Sequence, residues 1–289
     1  MSGLGLTFLR RGGLTHPTAG LPYINFKDEE VFRVLMEKGV SSDGVGIMPE
    51  DAAKVTTISN WFKGNTIIKS FDELQYFTGL AALGTEEWSD WSAAFKGCTN
   101  LESVTLPPSV KRLGYHVFHG CAKLQYINLE NVERMFESTF YQCTSLAIDI
   151  IAPRLSYVGM NVFSNSGVRR VLNLGSVTSL PGGWGANEGV FRKCSSLSVA
   201  IIPNSVKSIG VLCIANCSAL SVLVMKPETP PSYSASLDSS PNAIIYVPDN
   251  SVDTYKAAAG WTSLASRIRS VSQLANDNAA IYNDIKEYL

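Results

Sequence analysis

The sequence predicts a repeat solenoid, an elongated stack of similar coils, and three observations lead to this fold class. An aromatic or aliphatic residue is followed three positions later by Cys and six positions later by Leu, and this motif recurs along the chain. Successive motifs start 22 or 23 residues apart, with one step of 28. A short alternating apolar stretch, typical of a strand, follows each motif. Because one such coil cannot bury its apolar side alone, neighbouring coils must stack.

The repeat has five complete copies and one degenerate copy. The degenerate copy starts at Phe163, has Ser166 in the Cys position and lacks one residue before Val168. A second apolar pair at three-residue spacing follows in most copies, as at Val110 and Leu113, so each coil offers inward anchors along its length. The complete copies start at Phe95, Phe118, Phe140, Phe191 and Ile214.

Two strand segments depart from the repeat. The segment LAIDIIAP (146–153) carries one extra residue before Pro153, and the segment VRRVLNL (168–174) is displaced. An extra residue in a strand produces a bulge. We therefore expect a bulge in each segment.

Composition excludes several classes of function. Lys and Arg total 24 against 25 Asp and Glu, so a net charge of −1 offers no cationic excess for nucleic acid. No membrane span is expected, because no run of 18 apolar residues occurs. The first 20 residues contain Arg10 and Arg11 but no apolar core of a signal peptide, so no secretion signal is expected. These observations do not assign a cellular location.

Three stretches show the repeat most clearly, namely VFHGCAKLQYINL (117–129) and the connectors PPSVKRLG (107–114) and PNSVKSIG (203–210). They resemble the BspA-like leucine-rich repeats. The resemblance covers residues 95–225, and residues 245–268 look like the usual end of this family. It implies leucine-rich-repeat-type coils of short strands plus helical turns, with a helical N-terminal cap and a mixed α/β C-terminal cap. Family members are generally surface-associated interaction proteins, so the resemblance also implies a binding role.

The chain divides into four parts at the sequence level. Its N-terminal helical part should contain one helix capped by Asp28 and ended by Gly39, and a second helix starting at Pro49. A strand and a short helix over residues 67–83 are expected to cover the open end of the column. The four parts are an extended leader (1–25), an N-terminal helical cap (26–94), repeats of 22–23 residues with an insertion at 181–189 (95–225), and a C-terminal capping module with a terminal helix (226–289).

The C-terminal part is expected to contain three elements. Residues 244–248 predict a strand, and residues 251–260 predict a helix between Ser251 and Gly260. Residues 276–289 predict a terminal helix that has no counterpart in the repeats.

Six cysteines raise the question of disulfides. Five of them occupy the same repeat position, where their Cβ atoms point in parallel and do not converge on a partner. We expect these five to be buried, reduced and structural. Cys213 lies outside this series and has no evident partner.

No cofactor and no metal site is predicted. His116, His119 and Cys121 are the nearest approach to a zinc site, but the repeat makes both histidines ordinary variable positions. Residues 41–53 resemble a calcium loop in which only Asp43 is well placed as a ligand and the bidentate Glu is absent. His16 is isolated, so no catalytic pairing with a nucleophile can be assembled.

The candidate binding surface is the outward side of the strands. Residues that alternate with the inward anchors are mostly polar in the early coils and apolar in the late coils. Trp184 is a further contact candidate on the Gly-rich loop 181–189, which lies between two coils and so does not predict a nucleotide site. The candidate binding residues are Tyr126, Asn128, Val171, Asn173, Trp184, Val199, Ile201, Val222 and Val224.

The apolar late strands need a cover, because soluble monomers rarely leave such a patch bare. One candidate is the chain's own C-terminal module, and the other is a partner or a second copy of the chain. In the first case the covering residues would be Tyr255, Trp261 and the helix with Ile281, Tyr282 and Ile285.

The sequence favours a non-enzymatic module that binds a protein or a glycan, as an adhesion or interaction protein. The alternative is a structural or assembly component of a phage or similar particle, suggested by the missing signal peptide and the leader with its glycines and arginines. An enzyme is disfavoured, since carboxylates are scattered singly along the chain.

Overall fold

The computed structural model describes residues 22–86, 93–183, 189–233, 237, 240 and 242–289. Short parallel strands recur along these residues and stack into a solenoid, as the repeat predicted. The strands are β1 (Ser70–Phe71), β2 (Ala82–Leu83), β3 (Ser103–Val104), β4 (Arg112–Leu113), β5 (Tyr126–Ile127), β6 (Arg134–Met135), β7 (Asp149–Ile151), β8 (Tyr157–Val158), β9 (Arg170–Asn173), β10 (Ser179–Leu180), β11 (Val199–Ile202), β12 (Ser208–Ile209), β13 (Val222–Met225), β14 (Ser232–Tyr233), β15 (Ile244–Val247) and β16 (Ile268–Ser270).

From β1 to β14, each coil contributes one strand to each of two sheet faces, and β15 and β16 extend the first face alone. The first face has the order β1–β3–β5 and, after a break, β7–β9–β11–β13–β15–β16. The second face has the order β2–β4–β6–β8 and, after a break, β10–β12–β14. All these ladders are parallel, because every coil runs in the same direction as its neighbours.

Phenylalanine rings from equivalent turns of successive coils stack into a column along the solenoid. Neighbouring rings lie 5.2–5.6 Å apart between centroids and at most 11° from parallel. All of them are fully buried, so each ring packs on the equivalent ring of the next coil. The rings are Phe62, Phe95, Phe118, Phe140, Phe163 and Phe191.

The repeated cysteines form a second column beside the rings. Each thiol donates a hydrogen bond to the backbone carbonyl of the ring residue one coil earlier, as Cys121 does to Phe95 at 3.1 Å. The same bond recurs from Cys98, Cys143, Cys194 and Cys217 at 2.9–3.1 Å. A small residue with a weak donor therefore fits this position, which explains why the motif repeats Cys. All six cysteines are buried and free of disulfides.

We expect the cysteines to resist thiol reagents in the folded protein. Burial raises the pKa of Cys194 to about 11 and that of Cys98 to about 12, so little reactive thiolate exists near neutral pH. Labelling at pH 8 should be roughly 100-fold slower in the folded protein than in denaturant, as mass spectrometry can measure. Equal rates in the two conditions would contradict the thiol column.

The N-terminal helices form as predicted. Helix α1 (Glu29–Glu37) begins after Asp28, whose side chain accepts the backbone N–H of Glu30 at 3.0 Å, and Gly39 follows its end with a φ of 72°. Helix α2 (Pro49–Lys54) starts at its proline. The expected leader is described only from residue 22 onward, and there Ile24 already packs into the core.

Residues 67–83 form the expected strand and short helix, and they do so as part of a coil of the solenoid. They form β1, a 3₁₀-helix (Asp72–Tyr76) and β2, and both strands pair with the next coil. Phe62 supplies the ring that stacks on Phe95. The solenoid thus includes a coil that lacks the Cys motif, upstream of the first complete copy.

The C-terminal part extends the first face and then turns back over it. Strand β15 forms as predicted, and helix α3 (Val252–Ala257) is shorter than expected. The predicted terminal helix is divided into α4 (Leu274–Asp277) and α5 (Ala279–Ile285), because Asn278 leaves the helical conformation and caps α5 through the N–H of Ile281. The remaining 3₁₀-helices are Asp249–Ser251, Thr262–Arg267, Val271–Gln273 and Lys286–Tyr288.

The two irregular segments produce different outcomes. In the ladder between β7 and β9, Ile150 pairs with Val171 and Ile151 pairs with Asn173, so Leu172 is the extra residue of a bulge. The bulge expected in residues 168–174 is therefore confirmed. The extra residue of the segment 146–153 instead coincides with the break between β5 and β7.

None of the helices among the described residues is long and apolar enough to cross a membrane.

Candidate functional site

The chain covers its own late strands. Val199, Ile201, Val222 and Val224 point outward from β11 and β13, yet each is only 2% exposed. They form an apolar cluster with residues from α4, α5 and the adjoining turns, which we call the C-terminal lid (residues 271–289). No residue of this cluster belongs to the core inside the coils. Of the two covers that the sequence left open, the structure thus shows the chain's own C-terminal segment.

Tyr255 and Trp261 do not take part in this cover, contrary to expectation. Both are fully buried inside the end of the solenoid and belong to its core. The Tyr255 hydroxyl donates to the carbonyl of Pro227 at 2.8 Å, and the Trp261 indole N–H donates to the carbonyl of Pro231 at 2.9 Å. They close the column, whereas residues 271–289 cover the sheet.

Polar contacts fasten the lid at its edges. The ammonium of Lys226 donates to the backbone carbonyls of Tyr288 at 3.0 Å and Leu289 at 2.9 Å. Asp277 accepts hydrogen bonds from the Tyr246 hydroxyl at 3.0 Å and from Arg269 at 2.7 Å. Burial and then the Asp277 carboxylate raise the pKa of Tyr246 to about 12, so its hydroxyl remains a donor at neutral pH.

Val171 was wrongly expected to face outward. Val171 pairs with Ile150 and Ala200, which both face the core, so it is fully buried, and Leu172 takes the outward position under the lid. Asn173 accepts the backbone N–H of Gly175 at 2.9 Å and so stabilises the following turn. The sequence signal that could have shown this is the repeat spacing, because Val171 follows Val168 by three residues, as the inward Ile127 follows Leu124.

Asn128 and Trp184 complete the predicted set with different outcomes. The Asn128 side chain forms two hydrogen bonds with the backbone of Leu106 in the preceding coil. It accepts the N–H of Leu106 at 2.7 Å and donates to the carbonyl of Leu106 at 3.1 Å. Its amide is therefore engaged in joining two coils. Trp184 lies outside the described residues.

Tyr126 is the predicted residue that remains open to a partner. It is 51% exposed on β5, the last strand before the break in the first face. The break arises from a difference of one residue in the spacing between the motif leucine and the strand. Ile127 follows the motif leucine of its coil by three residues, whereas Ile150 follows Leu146 by four, so β7 does not align with β5.

A groove of about 300 Å³ occupies this break beside Tyr126. Its walls combine apolar groups such as Leu129 and Ile151 with the charged groups of Glu130, Asp149 and Arg169. Arg169 also lines a second groove of about 400 Å³ that runs along α5. The candidate binding surface is continuous and consists of the strands that the lid leaves uncovered, the ring of Tyr126 and the two grooves.

The two histidines beside the column contact each other. Their Nδ1 atoms lie 3.2 Å apart and the ring centroids 5.3 Å apart, so His116 and His119 point these nitrogens at each other as in an N–H···N hydrogen bond. Among the described residues, no group of three or more His, Cys, Asp or Glu side chains is arranged to hold a metal ion.

The loop that resembles a calcium site is closed by its own hydrogen bonds. Asp43 accepts the Tyr23 hydroxyl at 2.6 Å and the backbone N–H groups of Val45 and Gly46 at 2.8 and 3.2 Å. These donors hold the pKa of the Asp43 carboxyl well below its usual range. The carboxylate therefore organises the turn through donors of the protein itself.

Calcium should not stabilise this loop. Adding 5 mM EDTA or calcium, roughly the range used to test such sites, is expected to leave the melting temperature unchanged. Differential scanning calorimetry tests this expectation, and a rise in melting temperature with calcium would contradict it.

Comparisons with known proteins agree with the geometry. The family model of the BspA type leucine rich repeat region matches the chain in six copies, over residues 91–183 and 185–250. No curated protein matches the sequence.

Solved structures that are similar to the chain include two bacterial leucine-rich repeat proteins. A leucine-rich repeat protein from Bacteroides ovatus ATCC 8483 has 19% sequence identity and a TM-score of 0.43, over 60% of this chain and 44% of that chain. The leucine-rich repeat protein of T. pallidum has 20% identity and a TM-score of 0.47, over 63% of this chain and 75% of that chain. The chain thus spans less than half the length of the Bacteroides ovatus protein. Since the family model matches more than half of the 289 residues, the chain belongs to the BspA-type leucine-rich repeat proteins.

Proposed function

We propose that the protein is a non-enzymatic module that binds a protein partner through the uncovered part of the first face, at Tyr126 and the groove beside it. Leucine-rich repeat proteins are generally binding modules, which supports this class of function. The observation that carries the proposal is that the lid covers one part of the first face and leaves another part uncovered. The lid covers the late strands, whereas β5 presents a half-exposed tyrosine next to a groove with apolar and charged walls.

The chemistry of this surface fits a protein partner. Tyrosine supplies a large contact area at a small entropic cost and is enriched among the residues that dominate protein interfaces. The groove adds an apolar surface and charged groups of both signs, and a polypeptide can offer side chains that complement both. Of the large apolar and aromatic side chains that are exposed among the described residues, Tyr126 is the one that lies on a strand.

Photo-cross-linking tests the proposal. A photoreactive phenylalanine analogue at position 126 should form a discrete adduct in an extract of the cells that produce the protein. The matched control carries the analogue at position 67, because Ile67 is 65% exposed but lies outside the groove. Unlabelled wild-type chain should compete for the adduct, and the Tyr126→Ala variant should not.

The isolated partner then gives a quantitative test. Tyr126→Ala should weaken its binding by roughly 10- to 100-fold, the range of a tyrosine hot spot. Adducts of equal yield from positions 126 and 67 would contradict the proposal. Loss of the adduct after enzymatic deglycosylation of the extract would show a glycan as the ligand in place of a polypeptide.

A further inference from the structure

The second face places two arginines next to each other. Arg112 on β4 and Arg134 on β6 are direct partners in the parallel ladder, and Tyr157 on β8 is the next residue in line. Both arginine side chains are more than two fifths exposed. Like charges opposite each other on neighbouring strands destabilise a sheet. Such a local conflict in an otherwise regular repeat is a feature expected at a functional site.

A single carboxylate bridges the two arginines. One oxygen of Glu86 lies 3.1 Å from Nε of Arg112, and its other oxygen lies 3.6 Å from an Nη of Arg134. The spacing of the pair therefore suits one carboxylate. A guanidinium group has five N–H donors, so the contacts with Glu86 use only part of the donor capacity of the two arginines.

Aromatic rings hold one of the arginines in place. The guanidinium of Arg134 lies 4.9 Å from the ring centre of Phe136 and 5.0 Å from that of Tyr157. Stacking on both rings fixes the plane of the donors before any ligand arrives. Arg134 is thus preorganised for a planar acidic group.

An apolar groove of about 320 Å³ lies next to the arginine pair, at the break between β8 and β10. Tyr157, Met160 and Pro181 contribute to its walls. Glu137 also lines the groove, and its carboxylate accepts the Tyr157 hydroxyl at 3.1 Å. Burial and then the hydrogen bond to Glu137 raise the pKa of Tyr115 to about 12, so this second phenol also stays protonated beside the carboxylate.

We propose that this second surface binds a partner polypeptide through an acidic side chain, which the Arg112 and Arg134 pair receives, and a nearby apolar side chain, which enters the groove beside Tyr157. A polypeptide fits both features, because it can offer a carboxylate and an apolar side chain a few ångströms apart. An acidic sugar supplies only the first. The surface lies on the other face from Tyr126, so the two proposals can fail separately.

A phage-displayed peptide library provides the probe. Selection on the immobilised chain should enrich peptides in which an acidic residue is followed within three positions by an apolar one. The same selection on the double variant Arg112→Gln, Arg134→Gln should lose this enrichment. Arg154→Gln serves as the control, because it removes an exposed positive charge outside the pair and should keep the enrichment.

The bridging glutamate gives a test with the opposite sign. Glu86→Gln removes the carboxylate that competes with the peptide, so a selected peptide should bind this variant at least roughly threefold more tightly than the wild type. The same peptide should bind the Arg134→Gln variant at least roughly tenfold more weakly than the wild type. Fluorescence anisotropy measures both constants, and unchanged melting temperatures show that the variants are folded.

Two results would overturn this inference. Selected peptides with no acidic enrichment, or with equal enrichment on the double variant, would show that the pair does not recognise a carboxylate. Binding of uronic-acid oligosaccharides that depends on the pair, without any acidic enrichment among the peptides, would assign the pair to glycans.

Discussion

Phe118→Ala is expected to lower the free energy of unfolding by about 3–5 kcal/mol. The ring is fully buried between Phe95 and Phe140, whose centroids lie 5.2 and 5.3 Å away. Strand pairing on both faces fixes the spacing of the coils, so the neighbouring rings cannot move in to fill the cavity. Denaturant unfolding followed by circular dichroism measures the loss.

Lys123→Ala is the matched control for this variant. Lys123 is exposed in the same coil, and its replacement should cost about 0.5 kcal/mol or less. His119, an ordinary variable position of the repeat, is less suitable because its ring contacts His116 and Tyr141. Equal losses for Phe118→Ala and Lys123→Ala would contradict the ring column.

Ile285→Ala is expected to detach the lid while the solenoid stays folded. Ile285 is fully buried in the apolar cluster under the lid, and loss of such a side chain costs about 2–5 kcal/mol. Because this cluster is separate from the core of the coils, the loss weakens lid docking. Amide hydrogen exchange in residues 271–289 should accelerate by roughly 30-fold or more. Amides of β3 and β5 should keep their protection.

Lid detachment should also have a surface readout. It would bare the outward valines and isoleucine of β11 and β13, so binding of a hydrophobic dye should increase. Lys286→Ala changes an exposed residue of the same segment and should alter neither exchange nor dye binding. A uniform rise in exchange over lid and coils would show instead that the two unfold as one unit.

The inner part of the solenoid could be predicted from residue spacing. Phe118 and Cys121 recur in equivalent positions of other coils, and a stack of equal coils brings equivalent residues into contact. The ring column and the buried thiols follow from this periodicity. The upstream coil with Phe62 was missed because it has Asn65 in the Cys position and Ile68 in the Leu position of the motif.

The outer surface could be predicted only in part. Alternation placed Tyr126, Val199 and Val222 outward, as the structure shows. It failed at Val171, which pairs with the inward residues Ile150 and Ala200. Apolar outward residues also indicated that something must cover the late strands. The proposed cover from the C-terminal module was right for Ile281, Tyr282 and Ile285 and wrong for Tyr255 and Trp261.

The sequence by itself determined the repeat, the direction of its anchors and the need for a cover, because these depend on local spacing and on the burial of apolar side chains. The tertiary structure alone decided that residues 271–289 form the lid and that Tyr255 and Trp261 close the column. It also decided that Arg112 and Arg134 meet on neighbouring strands around Glu86. The physical reason is that these contacts join residues far apart in the chain, whose approach depends on the exact length of each intervening coil and turn.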